Sequence, residues 1–174
     1  MIKRFLKKNL SPKTFEKVRR SVFPILNSVN NIRSIGLSDD LDKLGEIYES
    51  DKTGRHFYTQ HYQLHFNRFR NSEIKLLEIG VGGYENPKLG GNSLRMWKKY
   101  FPLGKIYSID IYDKSSLQEN RIKIFKGSQV DKDFLESVTQ ETGGLDIIID
   151  DGSHINEHVI ATFRLLFPKL NEGG

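Results

Sequence analysis

The chain is 174 residues long, enough for one ordinary domain with a substantial core plus an appendage, and too short for two large domains. It has no cysteine, which excludes a disulfide framework and a thiolate metal site. Neither an apolar run of membrane-spanning length nor a signal-peptide pattern is present, so a soluble cytoplasmic protein is expected.

The formal charge of +5 is unevenly spread: Met1 to Ile35 holds nine Lys/Arg against one Glu, while Gly36 to Gly174 holds 18 basic and 21 acidic side chains. A basic tail therefore precedes a slightly acidic body, and no nucleic-acid partner is expected. The tail "MIKRFLKKNLSPKTFEKVRRSVFPIL" reads as two short amphipathic helices. In the second, Ser11 is the N-cap, Pro12 the first helical residue, Phe15, Val18 and Val22 one apolar stripe, and Pro24 the end. The favoured role is a helical arm packed on its own domain or on a second subunit, consistent with a homo-oligomer. Peripheral contact with an anionic membrane surface is the alternative. "NSVNNIRSIG" then reads as a linker, so residues 1–36 form a basic helical extension.

Residues 37–73 read as a helical auxiliary segment. A helix after Ser38 places Leu41, Leu44 and Tyr48 at helical spacing, and the segment "SDKTGRHFYTQHYQLHFNRFR" places Tyr62, Phe66 and Phe69 on one face. His61 and His65, four apart among aromatics, fit an interface better than a metal site. From Ile74 the texture changes to "IKLLEIG", "KIYSIDI", "RIKIFKG" and "LDIIIDDG", separated by helical stretches around Ser93–Tyr100, Asp133–Thr139 and Asn156–Phe167. Strands alternating with helices predict an α/β fold with a central, mostly parallel sheet covered on both faces, in residues 74–174.

In such sheets ligands bind beyond the carboxyl ends of the strands. Those ends are Glu78-Ile79-Gly80, Asp110, Gly127-Ser128-Gln129 and Asp150-Asp151-Gly152-Ser153-His154. In the G-x-G-x-x-G frame, Gly80-Val81-Gly82-Gly83-Tyr84-Glu85 replaces the third glycine with a carboxylate that would repel a pyrophosphate. A carboxylate at Glu78 suits a ligand that carries a cation, such as the amino group or sulfonium of S-adenosylmethionine. Asp110, one strand later, can accept both hydroxyls of a ribose.

"DKTGRHFYT", "LLEIGVGGYENPKLGGNSLRMWKKYFP", "IDIYDKS", "GSQVD" and "IIIDDGSHINEHV" together resemble the class I S-adenosylmethionine-dependent methyltransferases related to the macrolide sugar O-methyltransferases of the mycinamicin and tylosin pathways. The resemblance covers roughly Leu41 to Gly174. It implies a Rossmann-like methyltransferase fold, a divalent cation, usually Mg2+, and methyl transfer to a hydroxyl of a sugar or glycoside. It carries Glu78, Gly80 and Gly82 to the methionine-binding turn and Asp110 to the ribose, and it sets Ser128 and Gln129 near the adenine. His56 and Tyr58 match a stretch that borders the substrate pocket, with a structural role equally open.

A sugar hydroxyl is a poor nucleophile because its pKa lies far above 7, so the transfer needs a Lewis acid, a base or both. Asp151 is a hard oxygen ligand suited to magnesium, and His154 can take the proton; the resemblance assigns the same two roles to these positions. Asp150 is expected beside them, as a strand-end partner on the cofactor side. His154-Ile155-Asn156-Glu157-His158 also matches H-x-x-E-H, but that pattern needs both histidines on one helix, and Gly152-Ser153 puts His154 at a turn. Gly173-Gly174 reads as a helix end about to enter a fifth strand, so the sheet is expected to be truncated after the fourth strand and its helix. Two other readings stand: a nicotinamide-dependent sugar-modifying enzyme, and a non-catalytic or inactive S-adenosylmethionine-binding protein.

Overall fold

The structure is a computed structural model and describes residues 9–54 and 56–174, apart from some side chains between 12 and 24. Two compact units emerge, Met1–Ile35 and Gly36–Gly174. In the first, α1 (Pro12–Arg33) starts with Ser11 as N-cap, its hydroxyl accepting the Thr14 N–H at 3.3 Å. The helix runs through Pro24 and through most of the expected linker, which corrects both boundaries. Proline's fixed φ is compatible with a helix and removes one hydrogen bond, a loss that a 22-residue helix withstands. The more N-terminal tail helix and the side chains of Phe15 and Val22 lie outside the described residues.

In the second unit, α2 (Leu41–Tyr48) is capped by Asp40, whose carboxylate accepts the Lys43 N–H at 2.9 Å. The cap therefore lies two residues after Ser38. Leu41, Leu44 and Tyr48 are buried against the rest of the unit. The helix α3 (Thr59–Phe66) continues into a 3-10 turn at Asn67–Phe69. Strands then follow, separated by α-helices except between β2 and β3, which a 3-10 turn at Ser115–Leu117 joins: β1 (Lys75–Ile79), α4 (Asn92–Tyr100), β2 (Lys105–Asp110), β3 (Ile122–Lys126), α5 (Lys132–Thr142), β4 (Ile147–Asp150) and α6 (Asn156–Leu166).

The four strands pair in parallel in the order β3-β2-β1-β4. Successive side chains of a strand face opposite sides. Leu77 and Ile79 of β1 accordingly join Ile109, Leu135, Val138, Leu145 and Leu166 in a core under α5 and α6. On the other face Trp97 of α4 is fully buried and meets Tyr62 edge-on at 5.4 Å, with Tyr62 stacked on Phe66 at 5.2 Å. Each such apolar side chain removed from water stabilises the fold by roughly 1.5–3 kcal/mol. From β1 the chain steps to one side for β2 and β3, then returns to the other side for β4. That reversal falls between β1 and β4, and open α/β sheets bind ligands in the crevice outside the carboxyl ends of the strands at such a point.

Candidate active site

At the end of β1 the chain turns through Gly80 and Gly82, both in the left-handed region (φ 93° and 77°). The two glycines differ in surroundings. A Cβ on Gly80 would stand 2.2 Å from the Asp151 carbonyl oxygen, whereas one on Gly82 would meet nothing within 4 Å. Gly80 thus permits β1 and β4 to close on each other, and Gly82 faces open space in which a ligand can approach backbone.

Asp110 ends β2 in the same turn. Its Oδ2 accepts the Val81 N–H and its Oδ1 the Tyr112 N–H, each at 2.9 Å. A carboxylate offers about four acceptor positions, so both oxygens keep a lone pair for two vicinal hydroxyls. Behind this turn the buried Lys114 ammonium donates to the carbonyls of Asn86 (2.9 Å) and Leu89 (3.1 Å), fastening the loop that leads to α4. Burial lowers its pKa despite the nearby Asp110 and Glu85.

Glu78 does not face the crevice. Its side chain is completely buried, Oε1 accepts from Ser93 (2.8 Å) and Lys52 (2.8 Å), and Oε2 accepts from the Trp97 indole at 2.6 Å. The carboxylate expected to meet a cofactor cation is committed to protein donors instead. Gln129 is likewise turned inward: Nε2 donates to Asp150 (3.2 Å) and Thr162 (3.0 Å), and Oε1 accepts the Ser153 N–H at 2.9 Å. It braces β4 and α6 across the end of β3. Ser128 is half-buried in the same loop, and its hydroxyl accepts the Val130 N–H at 3.4 Å. Asp150 accepts the Gly152 N–H at 3.1 Å, which shapes the turn after β4.

Asp151 and His154 form the outer edge. Asp151 is 35 % exposed; its Oδ2 accepts from Lys52 at 2.5 Å, and its Oδ1 lies 3.8 Å from His154 Nε2. His154 is 74 % exposed and takes a left-handed backbone (φ 58°) that is unfavourable for any residue but glycine. It precedes α6, which begins at Asn156, so His154 and His158 do not share one helix and the H-x-x-E-H pattern lacks its geometry. His158 pairs with the Ser153 hydroxyl at 2.9 Å. Among the described residues no group of three or more His, Asp or Glu converges to hold a metal ion. Asp151 supplies one hard oxygen out of the six to eight that magnesium or calcium takes. The described residues do not make a complete metal site.

Lys52 joins β1 to β4. It is 3 % exposed and reaches both Glu78 and Asp151. Burial works against its charge, but the two carboxylates outweigh it and hold its pKa above the ordinary lysine value. Lys52 lies in the "DKTGRHFYT" motif, but its role is not legible there because its partners lie 26 and 99 residues away.

The chain is similar in sequence and fold to known proteins. Over 136 residues the chain is 50% identical to the mycinamicin VI 2''-O-methyltransferase of Micromonospora griseorubida, covering 78% of this chain and 34% of that one. It is 43% identical over 154 residues to the 8-demethyl-8-alpha-L-rhamnosyl tetracenomycin-C 2'-O-methyltransferase of Streptomyces olivaceus, covering 87% of this chain and 41% of the relative. The chain is a homologue of these O-methyltransferases. Its fold matches that of the mycinamycin-pathway methyltransferase MycE, solved in complex with Mg, SAH and mycinamycin VI, at a TM-score of 0.75 and 50% identity. That match covers 78% of this chain and 37% of MycE. The chain thus spans between 34% and 41% of the length of these relatives. No protein-family model matches the chain. Among the described residues no helix is long and apolar enough to cross a membrane.

Proposed function

We propose that this chain binds S-adenosylmethionine and serves methyl transfer to a hydroxyl of a sugar or glycoside. The observation that carries the proposal is Asp110, tied to the glycine turn through Val81 and left with one free lone pair on each oxygen. That is an acceptor pair for a ribose diol, one strand away from a turn that a ligand can approach. The homologues named for sugar O-methylation support the acceptor class, and MycE in complex with Mg and SAH supports the cofactor and the cation.

The cofactor supplies an electrophilic methyl on sulfur. When bound, it would give that methyl to the hydroxyl oxygen as the S–CH3 bond breaks and its electron pair returns to sulfur, and the hydroxyl proton would have to leave. His154 is the group positioned to accept that proton, because its imidazole stands free at the crevice rim beside Asp151 Oδ1. Asp151 stabilises the imidazolium that results, and Gly82, open on its outer side, lets the cofactor approach the backbone. Glu78 and Gln129 act from behind, the first by balancing Lys52 and the second by bracing the turn that carries Ser153 and His154.

The test is a calorimetric titration of the chain with S-adenosylhomocysteine, with and without magnesium, beside Asp110→Ala. Saturable binding that the substitution weakens by about 1.5–3 kcal/mol, the worth of a hydrogen bond to a charged group, is the expected result. A folded chain that does not bind the ligand would overturn the reading.

A further inference from the structure

Lys52 enters the site from outside the sheet, on a loop that the fold secures closely. Its carbonyl accepts the N–H groups of Tyr58 (2.8 Å) and Thr59 (3.2 Å). The hydroxyl of Thr53 donates to Asp42 of α2 at 3.1 Å, and that of Thr59 donates to the same oxygen. A long side chain loses rotamer freedom when it is fixed, and a buried ammonium loses its hydration, so the position needs strong compensation. The compensation is two carboxylates from neighbouring parallel strands, Glu78 at 2.8 Å and Asp151 at 2.5 Å. Two carboxylates that converge on one point are also what a hard divalent cation selects. Here the protein's own cation fills that point.

We propose that Lys52 is a positioning residue, an internal cation that occupies the Glu78–Asp151 pair and so decides which oxygen Asp151 offers to the crevice. With Oδ2 held by the ammonium, Oδ1 is the oxygen presented on the His154 side, and an external cation is kept from sinking between the strands. Glu78, neutralised by the same ammonium, stays a structural group rather than a ligand. This deepens the methyltransferase reading on which it rests, because it explains how one carboxylate of a closely spaced pair stays available at the reactive edge.

The experiment is thermal unfolding of the whole chain and of Lys52→Met, Lys52→Arg and Lys52→Met/Glu78→Gln, each with and without millimolar Mn2+. Manganese binding is followed in parallel by electron paramagnetic resonance. Lys52→Met leaves two facing carboxylates, so it should melt earlier than the parent without cation and recover most of the loss when Mn2+ is added. It should also bind Mn2+ about tenfold or more tightly than the parent. The parent, the Arg variant and the double variant should show no such cation-dependent recovery. A purely structural lysine predicts instead that Lys52→Met is weakened equally with and without Mn2+, and that outcome overturns the proposal. So does a Lys52→Met chain that Mn2+ cannot restore to a folded state while the double variant folds. Titration of the parent with S-adenosylhomocysteine reads the functional proposal separately, since none of the manganese measurements involves the cofactor.

Discussion

Gly80 and Gly82 share a left-handed backbone and differ in what a side chain would meet. Alanine at Gly80 drives a Cβ to 2.2 Å from the backbone oxygen of Asp151, just past β4, which cannot rotate away. Gly80→Ala should therefore cost about 3 kcal/mol or more, through strain added to an unfavourable φ. Gly82→Ala meets no atom within 4 Å and should lose only about 1–2 kcal/mol from its backbone conformation. Urea unfolding of the two variants measures the difference, and equal losses would contradict the close contact between β1 and β4. Both glycines stand out in the sequence as members of "EIGVGG", but their division of labour does not, because the atom that separates them belongs to Asp151. The same holds for Glu78. Its place before the glycines marks it as a site residue, yet its partners Lys52, Ser93 and Trp97 decide that it faces inward.

At the scale of elements, apolar runs ending in Gly or Asp located all four strands, and the helices around Ser93, Asp133 and Asn156 follow from helical spacing. Boundaries were less legible. Pro24 does not stop α1, and the helix expected after Ser38 is capped by Asp40, because the cap is set by which side chain reaches the third helical N–H. That cap is testable by pH. Burial works to raise the Asp40 carboxyl, but hydrogen bonds from the Lys43 backbone and side chain and the Lys43 charge outweigh it, leaving the pKa below the ordinary 3.8. A carboxyl with a lower pKa folded than unfolded adds stability above its unfolded value and loses it as pH falls through the folded value. The parent should thus lose more stability below about pH 4 than Asp40→Asn, which keeps the capping oxygen without the titration. Asp40→Ala should cost about 0.5–2 kcal/mol already at neutral pH. Chemical denaturation across acid pH checks both, and parallel acid limbs for parent and Asn variant would refute the cap's electrostatic share.

For the whole molecule, the strand order β3-β2-β1-β4 puts β1 between two parallel neighbours with a helical layer on each face. Its amides should open only with global unfolding, so Lys75–Ile79 should exchange hydrogen more slowly than β3 at the sheet edge. Exchange followed by NMR or mass spectrometry settles the order, and faster exchange in β1 would contradict the topology. The sequence by itself determined the class of fold, the four strand ends and the residues gathered there, because period-two apolar runs, glycines and strand-end carboxylates are local properties of the chain. Only the tertiary structure decided which of those groups face the crevice. Asp110, Asp151 and His154 stay available, while Glu78 and Gln129 are consumed by partners from distant segments. The physical reason is that a buried polar group must be satisfied wherever the fold brings a donor, and Lys52, 99 residues from Asp151, becomes that donor only once the chain has closed on itself.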